Sequence, residues 1–328
     1  MYSTRVDSSI AVVGVGGLGG RHLQALKGLS SSADLYISDP ESSSVERALG
    51  WYQHAPGTGA TPEVAASLGD LPSELDVVVV ATPSDVRRRV VEELLENRSV
   101  RYLVLEKVLF QHMGDVRAVG DLLERTGTEA WVNCPRRMWP FYSDLRALLE
   151  GASGVGVHVT GADWGLGCNG IHFLDLAAFL AGKPVTRVDA QFSDGVRQAK
   201  RPGYSEYHGT LWGHEGADTV VVTSLRGDAD GITIHITSDR ACAHIREVEG
   251  TAWIATADEG WEWREQPFDL PFQSQLTHHV VDQLLQEGTC SLTPYPESAQ
   301  LHELFLGALS AHHTVADTAT GIQLCPIT

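Results

Sequence analysis

Lysine is nearly missing from this chain. Only Lys27, Lys107, Lys183 and Lys200 occur, and lysine plus arginine number 24 against 42 acidic residues, a formal net charge of −18. That balance repels phosphate backbones and anionic headgroups, so nucleic acid and membrane are not expected as partners. Cysteine is scarce too. Cys134, Cys168, Cys242, Cys290 and Cys325 are odd in number and show no C-x-x-C spacing, which argues against a disulfide framework and a cysteine-rich zinc site. No apolar run approaches the ~18 uninterrupted residues of a spanning helix. The opening M-Y-S-T-R-V-D-S-S has no basic region or small-residue cleavage site. A cytoplasmic chain with reduced thiols is expected.

What is present is globular: 43% of 328 residues are apolar, and a length prior of roughly 100–200 residues per domain predicts two domains. Over the first 135 residues, strand-like runs at Ile10–Val15, Asp34–Ser38, Val77–Ala81, Tyr102–Lys107 and Ala130–Cys134 alternate with helix-period segments such as Asp85–Asn97 and Gly114–Thr126. This α/β rhythm predicts a doubly wound parallel sheet. Beyond residue 150 the runs Val155–Ala162, Val185–Phe192, Asp218–Leu225, Gly231–Thr237 and Ala241–Glu247 follow one another with few helices, as in a mostly antiparallel sheet. Helices are expected at Gln273–Gln286 and Glu297–Ala316, and the loop Gln198–Tyr207 is expected to be mobile. The expected division is a dinucleotide-binding Rossmann domain at 1–135 and a substrate-binding and oligomerisation domain at 136–328.

The first strand runs straight into G-V-G-G-L-G, with Gly14, Gly16 and Gly19 at G-x-G-x-x-G spacing before a helical R-H-L-Q-A-L. Glycine there permits the tight turn, the approach of backbone to a pyrophosphate and close helix–strand packing, while the helix N-terminus offers free N–H groups. Asp39 ends the second strand 20 residues beyond Gly19. A carboxylate at that place accepts from an adenosine ribose and repels a 2′-phosphate, so NAD is expected over NADP. The later strands end in A-T-P-S at 81–84 and L-E-K-V at 105–108, and strand carboxyl ends line the ligand crevice of such a sheet. The cofactor-binding set is therefore Gly14, Gly16, Gly17, Leu18, Gly19, Asp39, Thr82, Pro83, Glu106 and Lys107. The alternative role for Lys107 is a salt bridge with Glu106 or a nearby acid.

These motifs, with R-R-M-W-P-F-Y at 136–142 and G-I-H-F-L-D at 170–175, resemble the Gfo/Idh/MocA oxidoreductases. The resemblance implies an N-terminal Rossmann domain, a C-terminal α/β domain with a large open sheet, a nicotinamide cofactor, and a sugar, sugar nucleotide or polyol substrate. The family usually has E-K-P and, opening a helix of the second domain, D-x-G-x-H-x-x-D. Lys107 matches the lysine, Gly170 the glycine, His172 the histidine and Asp175 the last acid. Val108 replaces the proline, Cys168 stands where the first aspartate is expected, and Arg87 lies close to where many members have histidine.

Hydride transfer to or from a carbinol carbon requires a group that takes or gives the hydroxyl proton. His172 titrates near neutrality, Asp175 would orient it, and Lys107 would polarise the oxygen or relay the proton. Asn169 is the expected N-cap of the helix, which would set Cys168, His172 and Asp175 on one face toward the cofactor crevice. A thiol at a helix N-terminus can be activated, or Cys168 can simply fill space. His172 has the alternative of a hydrogen-bonded core residue. Arg136 and Arg137 would hold a substrate phosphate or carboxylate, or else pair with acids such as Asp144; Trp164 and Asn169 complete the expected substrate set. No metal centre is expected.

The reading is an NAD-dependent oxidoreductase. The alternatives are a non-catalytic NAD-binding sensor on the same fold, favoured by Cys168, and an NAD-dependent lyase or glycosidase without net redox change. The alternating Val220, Val222, Ile232, Ile234 and Ile236 are expected to form an uncovered apolar face that pairs chains into a homodimer or homotetramer.

Overall fold

The computed structural model describes residues 8–193, 195–227, 231–318 and 320–328; residues 1–7, on which the reading of the N-terminus rests, lie outside them. The chain divides into two compact units, one of residues up to Phe110 with Asp115–Pro135 and Pro271–Pro296, the other of Gln111–Gly114, Arg136–Leu270 and Glu297–Thr328.

The first unit opens with strands β1 (Ser8–Val13), β2 (Ala33–Ser38), β3 (Glu63–Val64), β4 (Glu74–Val80), β5 (Ser99–Leu105) and β6 (Glu129–Val132) and helices α1 (Gly17–Leu26), α2 (Ser42–His54), α3 (Ser84–Asn97) and α4 (Met113–Thr126). The strands pair in parallel in the order β6-β5-β4-β1-β2-β3. Runs such as Val77–Val80 are wholly buried, because helices cover both faces of a parallel sheet. Right-handed crossovers put α1 and α2 on one face and α3 and α4 on the other, since the two pairs wind outward in opposite directions from the centre.

The second unit contains α5 (Pro140–Leu148), β7 (Val155–Ala162), α6 (Leu166–Ala181) and β8 (Arg187–Phe192). After them come the short strands β9 (Arg197–Gln198) and β10 (Ser205–Glu206), then β11 (Gly209–Glu215), β12 (Asp218–Leu225), β13 (Ile232–Ser238), β14 (Ala241–Arg246), β15 (Thr251–Thr256) and β16 (Arg264–Pro267). Eight of these strands form one sheet in the order β16-β15-β14-β13-β7-β12-β11-β8, antiparallel except where β12 pairs with β7. The fold is thus a Rossmann domain joined to an α/β domain with a large, mostly antiparallel sheet. Strand β11 was not legible as a run because Gly209 and Gly213 interrupt its apolar pattern. The expected loop 198–207 contains the β9–β10 pairing, and its last two residues, Glu206 and Tyr207, are buried.

The chain then returns to the first unit through α7 (Thr277–Glu287) and β17 (Thr293–Pro294), which pairs antiparallel with β6, before α8 (Tyr295–Ser310). This departs from the contiguous division at 135/136: residues 271–296 belong with the Rossmann sheet because its edge strand offers Thr293 and Pro294 a ladder.

A second difference concerns the face of the large sheet. Val220, Val222, Ile234 and Ile236 are at most 1% exposed, and they lie on the side that α6 covers; Ile232 is half-buried. Alternation separates two faces but does not say which is covered. The opposite face carries a cross-strand row of Trp212, Val221, His158, His235, His244 and Trp253, all partly or fully exposed. Among the described residues no helix is long and apolar enough to cross a membrane.

Candidate functional site

In the first unit the glycine motif forms a cradle between β1 and α1. Gly14 has φ +82°, and a Cβ there would come within 2.9 Å of the Thr82 nitrogen. A Cβ on Gly19 would lie 1.8 Å from the Gly14 carbonyl oxygen, so only glycine lets α1 begin this close to β1. At Gly16 and Gly17 nothing lies within 4 Å of where a Cβ would be. These two positions leave the side open on which Gly17, Leu18 and Gly19 begin the helix, where N–H groups lack intrahelical acceptors and the dipole is positive. The donor set and the open side fit a dinucleotide pyrophosphate.

Asp39 sits just past β2, its Oδ2 accepting from the Val15 N–H at 2.7 Å and its Oδ1 from Glu41 N–H at 2.9 Å. The carboxylate is thereby fixed beside the cradle while staying half-exposed, with lone pairs left for ribose hydroxyls. Thr82 abuts Gly14, and Pro83 is the N-cap of α3.

Lys107 is half-buried just beyond the end of β5, and the Lys107–Val108 peptide is cis. Its neighbour Glu106 is buried and paired with His22 of α1, at 2.9 Å from Nε2 to Oε1. Asn133 Nδ2 donates to the same oxygen at 2.5 Å. Burial works to raise the Glu106 carboxyl, but the hydrogen bond and charge of His22, the charge of Lys107 and the Asn133 bond outweigh it and hold the group below its ordinary value. The ion-pair partner of Glu106 is therefore His22, a residue the G-x-G-x-x-G reading passed over. Arg87 is a second: only 2% exposed, it donates to the carbonyls of Thr82, Val108 and Leu109.

In the second unit α6 starts four residues earlier than a cap at Asn169 would place it. Its N-cap is Gly165 at φ +84°, and Asn169 lies inside the helix with Nδ2 donating to the Trp164 carbonyl at 2.9 Å. The unpaired amides of the first turn are met by Glu206, whose carboxylate accepts from Gly167 N–H at 2.8 Å and Cys168 N–H at 3.1 Å. Burial raises the Glu206 carboxyl, against the pull of those amides and of Arg197. Nothing in sequence marked Glu206, because its partners lie 38 and 39 residues away. Trp164 donates from Nε1 to the Thr223 carbonyl at 2.9 Å and packs edge-on against Phe173.

Cys168, Asn169 and His172 are the half-buried residues at this end of α6; Asp175, one turn further along, is 1% exposed. It accepts both arms of Arg137, Nε to Oδ2 and Nη2 to Oδ1, each at 2.9 Å, and Arg137 Nη2 also reaches Glu297 at 2.5 Å. Burial lowers the proton affinity of Arg137, but Asp175 and then Glu297 raise it further than burial lowers it. Arg136 is likewise bidentate to Glu247, at 2.7 and 2.6 Å, and its guanidinium lies over the Phe173 ring. Nε and Nη2 of each arginine thus meet internal carboxylates, neither of them Asp144. Arginine at 136 and 137 is placed to fasten α6 and the end of β14 to the turn before α5. Among the described residues no three His, Cys, Asp or Glu side chains gather as a metal-ligand group.

With the two halves described, comparison with known proteins is informative. Residues 8–134 match the family described as "Oxidoreductase family, NAD-binding Rossmann fold". No curated protein matches the chain. Among solved structures, the fold is similar to UDP-N-acetylglucosamine 3-dehydrogenase of Acidithiobacillus ferrooxidans at 17% identity and TM-score 0.69, covering 93% of this chain and 97% of that one. It is similar also to the super-repressor mutant of Gal80p of Saccharomyces cerevisiae, at 12% identity and TM-score 0.73 over 93% and 96%. A third is an oxidoreductase of Agrobacterium radiobacter in complex with NAD+, L-tartaric acid and magnesium, at 16% identity and TM-score 0.71 over 93% and 96%. Residues 8–134 thus match the NAD-binding Rossmann fold of the Gfo/Idh/MocA oxidoreductase family, and the two-domain fold that continues from them is shared with these solved structures.

Proposed function

We propose that the protein is an NAD-dependent oxidoreductase acting on a hydroxyl or carbonyl of a sugar, sugar nucleotide or polyol. The observation that carries this reading is Lys107, an ammonium held at the end of β5 in the same unit as a cradle built for a pyrophosphate. When bound, the nicotinamide dinucleotide supplies the hydride acceptor or donor. Gly16, Gly17 and the first turn of α1 hold its phosphates and Asp39 holds its adenosine ribose. Lys107, from the first unit, polarises the reacting oxygen; His172, from the second, takes or gives its proton. The dehydrogenase neighbour supports a sugar nucleotide as substrate class.

Asp39 makes the cofactor preference testable. NADH should bind more tightly than NADPH, since the fixed carboxylate would face a 2′-phosphate, and Asp39→Ser should narrow or reverse the difference. Titration by NADH and NADPH fluorescence checks this; equal affinity in the wild type would overturn the assignment to NAD.

Cys168 favours a second reading, a dinucleotide sensor without turnover, and a repressor, Gal80p, stands among the structural neighbours. Assembly belongs to either reading. The uncovered sheet face with Trp212, Val221 and Trp253 is proposed to pair chains into a dimer or tetramer. Light scattering should show more than one chain per particle at micromolar protein, and Trp253→Glu together with Val221→Glu should shift it toward monomer.

A further inference from the structure

The His22–Glu106 contact is one side of a closed ring of side chains within the first unit. His22 Nε2 meets Glu106 Oε1 at 2.9 Å; Asn133 Nδ2 donates to that oxygen at 2.5 Å and to Gln273 Oε1 at 2.8 Å. Gln273 Nε2 donates to Thr277 Oγ1 at 3.0 Å, and Thr277 Oγ1 is 2.9 Å from His22 Nδ1, which closes the ring. A carboxylate only accepts, so Nε2 of His22 carries a proton. The free oxygen, Oε2, accepts the N–H of Lys107 itself at 3.3 Å. The charges acting on Glu106 are those of His22 and Lys107; Asn133, Gln273 and Thr277 are uncharged.

The residues on the other side of Lys107 are fastened from the opposite face of the sheet. Arg87, on α3, is buried and donates to the carbonyls of Val108, Leu109 and Thr82. His22 rides on α1, the helix whose first turn is the dinucleotide cradle. A polar side chain on each side of one sheet edge, both nearly solvent-free, is an expensive way to stabilise a fold, because every buried donor and acceptor must be given a partner. Their shared feature is that each fixes the backbone next to Lys107.

We infer that His22 and Arg87 are positioning residues for Lys107: they clamp the residues on either side of it from the two faces of the sheet, and through α1 they tie the placement of its ammonium to the dinucleotide cradle. The inference rests on the reading that Lys107 acts on the reacting oxygen. It differs from that reading in naming the groups that aim the lysine, neither of which touches substrate.

Lysine acylation reads the clamp without any substrate, and with only four lysines in the chain each one is resolved by peptide mass spectrometry. The purified protein is treated with limiting acetic anhydride with and without NADH, using Lys183 and Lys200 as internal references. In the wild type, NADH should protect Lys107. In His22→Leu and in Arg87→Lys, NADH should still bind, but that protection should be lost and kcat should fall by about 10²-fold with little change in KM, the scale of a misplaced reacting group. His22→Gln keeps a donor toward Glu106 and should restore most of both; if His22→Leu does not fold, Arg87→Lys carries the test. Wild-type protection of Lys107 in folded His22→Leu and Arg87→Lys, or in Arg87→Lys alone if His22→Leu does not fold, would overturn the clamp, even if Lys107 proves essential. If instead Lys107→Ala turns over normally while the variants lose protection, the clamp stands and the role given to Lys107 falls.

Discussion

Lys107→Ala and His172→Ala should each lower turnover by about 10²–10⁴-fold, the scale on which general acid and base groups act. The two substitutions should differ in what else they disturb. Lys107 belongs to the unit that holds the dinucleotide, so its removal should also alter NADH affinity, whereas His172 lies on α6 of the second unit and its removal should leave that affinity unchanged. Steady-state kinetics with a panel of sugars and sugar nucleotides, alongside NADH titration, separates the two effects. Cys168 decides between the competing readings. It is half-buried, and its N–H is held by Glu206, so a carboxylate is already present at the helix end where the family places aspartate. Cys168→Ser should therefore be tolerated with modest loss, and Cys168→Asp should bring two carboxylates together and weaken α6. If wild type, Cys168→Ser and Cys168→Asp all bind NADH and none turns over any substrate of the panel, the protein is a sensor and not an enzyme.

The largest loss of stability should follow from parting Arg137 and Asp175. Asp175 is 1% exposed, and its two oxygens are both taken by the guanidinium. Removing Arg137 strands Asp175 as a buried charge, and removing Asp175 leaves Arg137 only its contact with Glu297; parting a buried pair costs about 3–5 kcal/mol. Arg137→Ala and Asp175→Ala should each show this loss in chemical denaturation. The double variant should cost less than the sum of the two, since the second removal deletes an already stranded charge. Glu297 is largely exposed and should matter far less. If Asp175 also orients His172, Asp175→Asn should change the pH profile of turnover. With Arg137 as its partner, it should chiefly lower the denaturation midpoint. An Asp175→Asn variant of unchanged stability would return Asp175 to the catalytic set.

The sequence by itself determined the local and the periodic. Strand, glycine turn and helix are contiguous between Ser8 and Leu26, and their conformations follow from steric rules acting over a few residues, so the cradle was legible without tertiary information. The same holds for the change from parallel to antiparallel grammar near residue 150, because strands buried on both faces and strands buried on one face carry different apolar patterns. What tertiary structure alone decided was the pairing of polar groups. His22 meets Thr277 across 255 positions, Arg136 meets Glu247 across 111, and Glu206 caps a helix that begins 40 residues before it. A titratable side chain presents the same letter whether it faces substrate or a buried partner, and only the folded chain brings the partner to it. For that reason sequence did not show that Arg136, Arg137 and Asp175 pair internally, or that His22 meets Glu106, Arg87 meets the carbonyls of Val108 and Leu109, and Glu206 meets the Cys168 N–H. Residues 271–296 rejoin the first unit, and the valines and isoleucines of the large sheet turn inward, for a related reason: burial is settled by which element arrives to cover a face, and period alone does not carry that information.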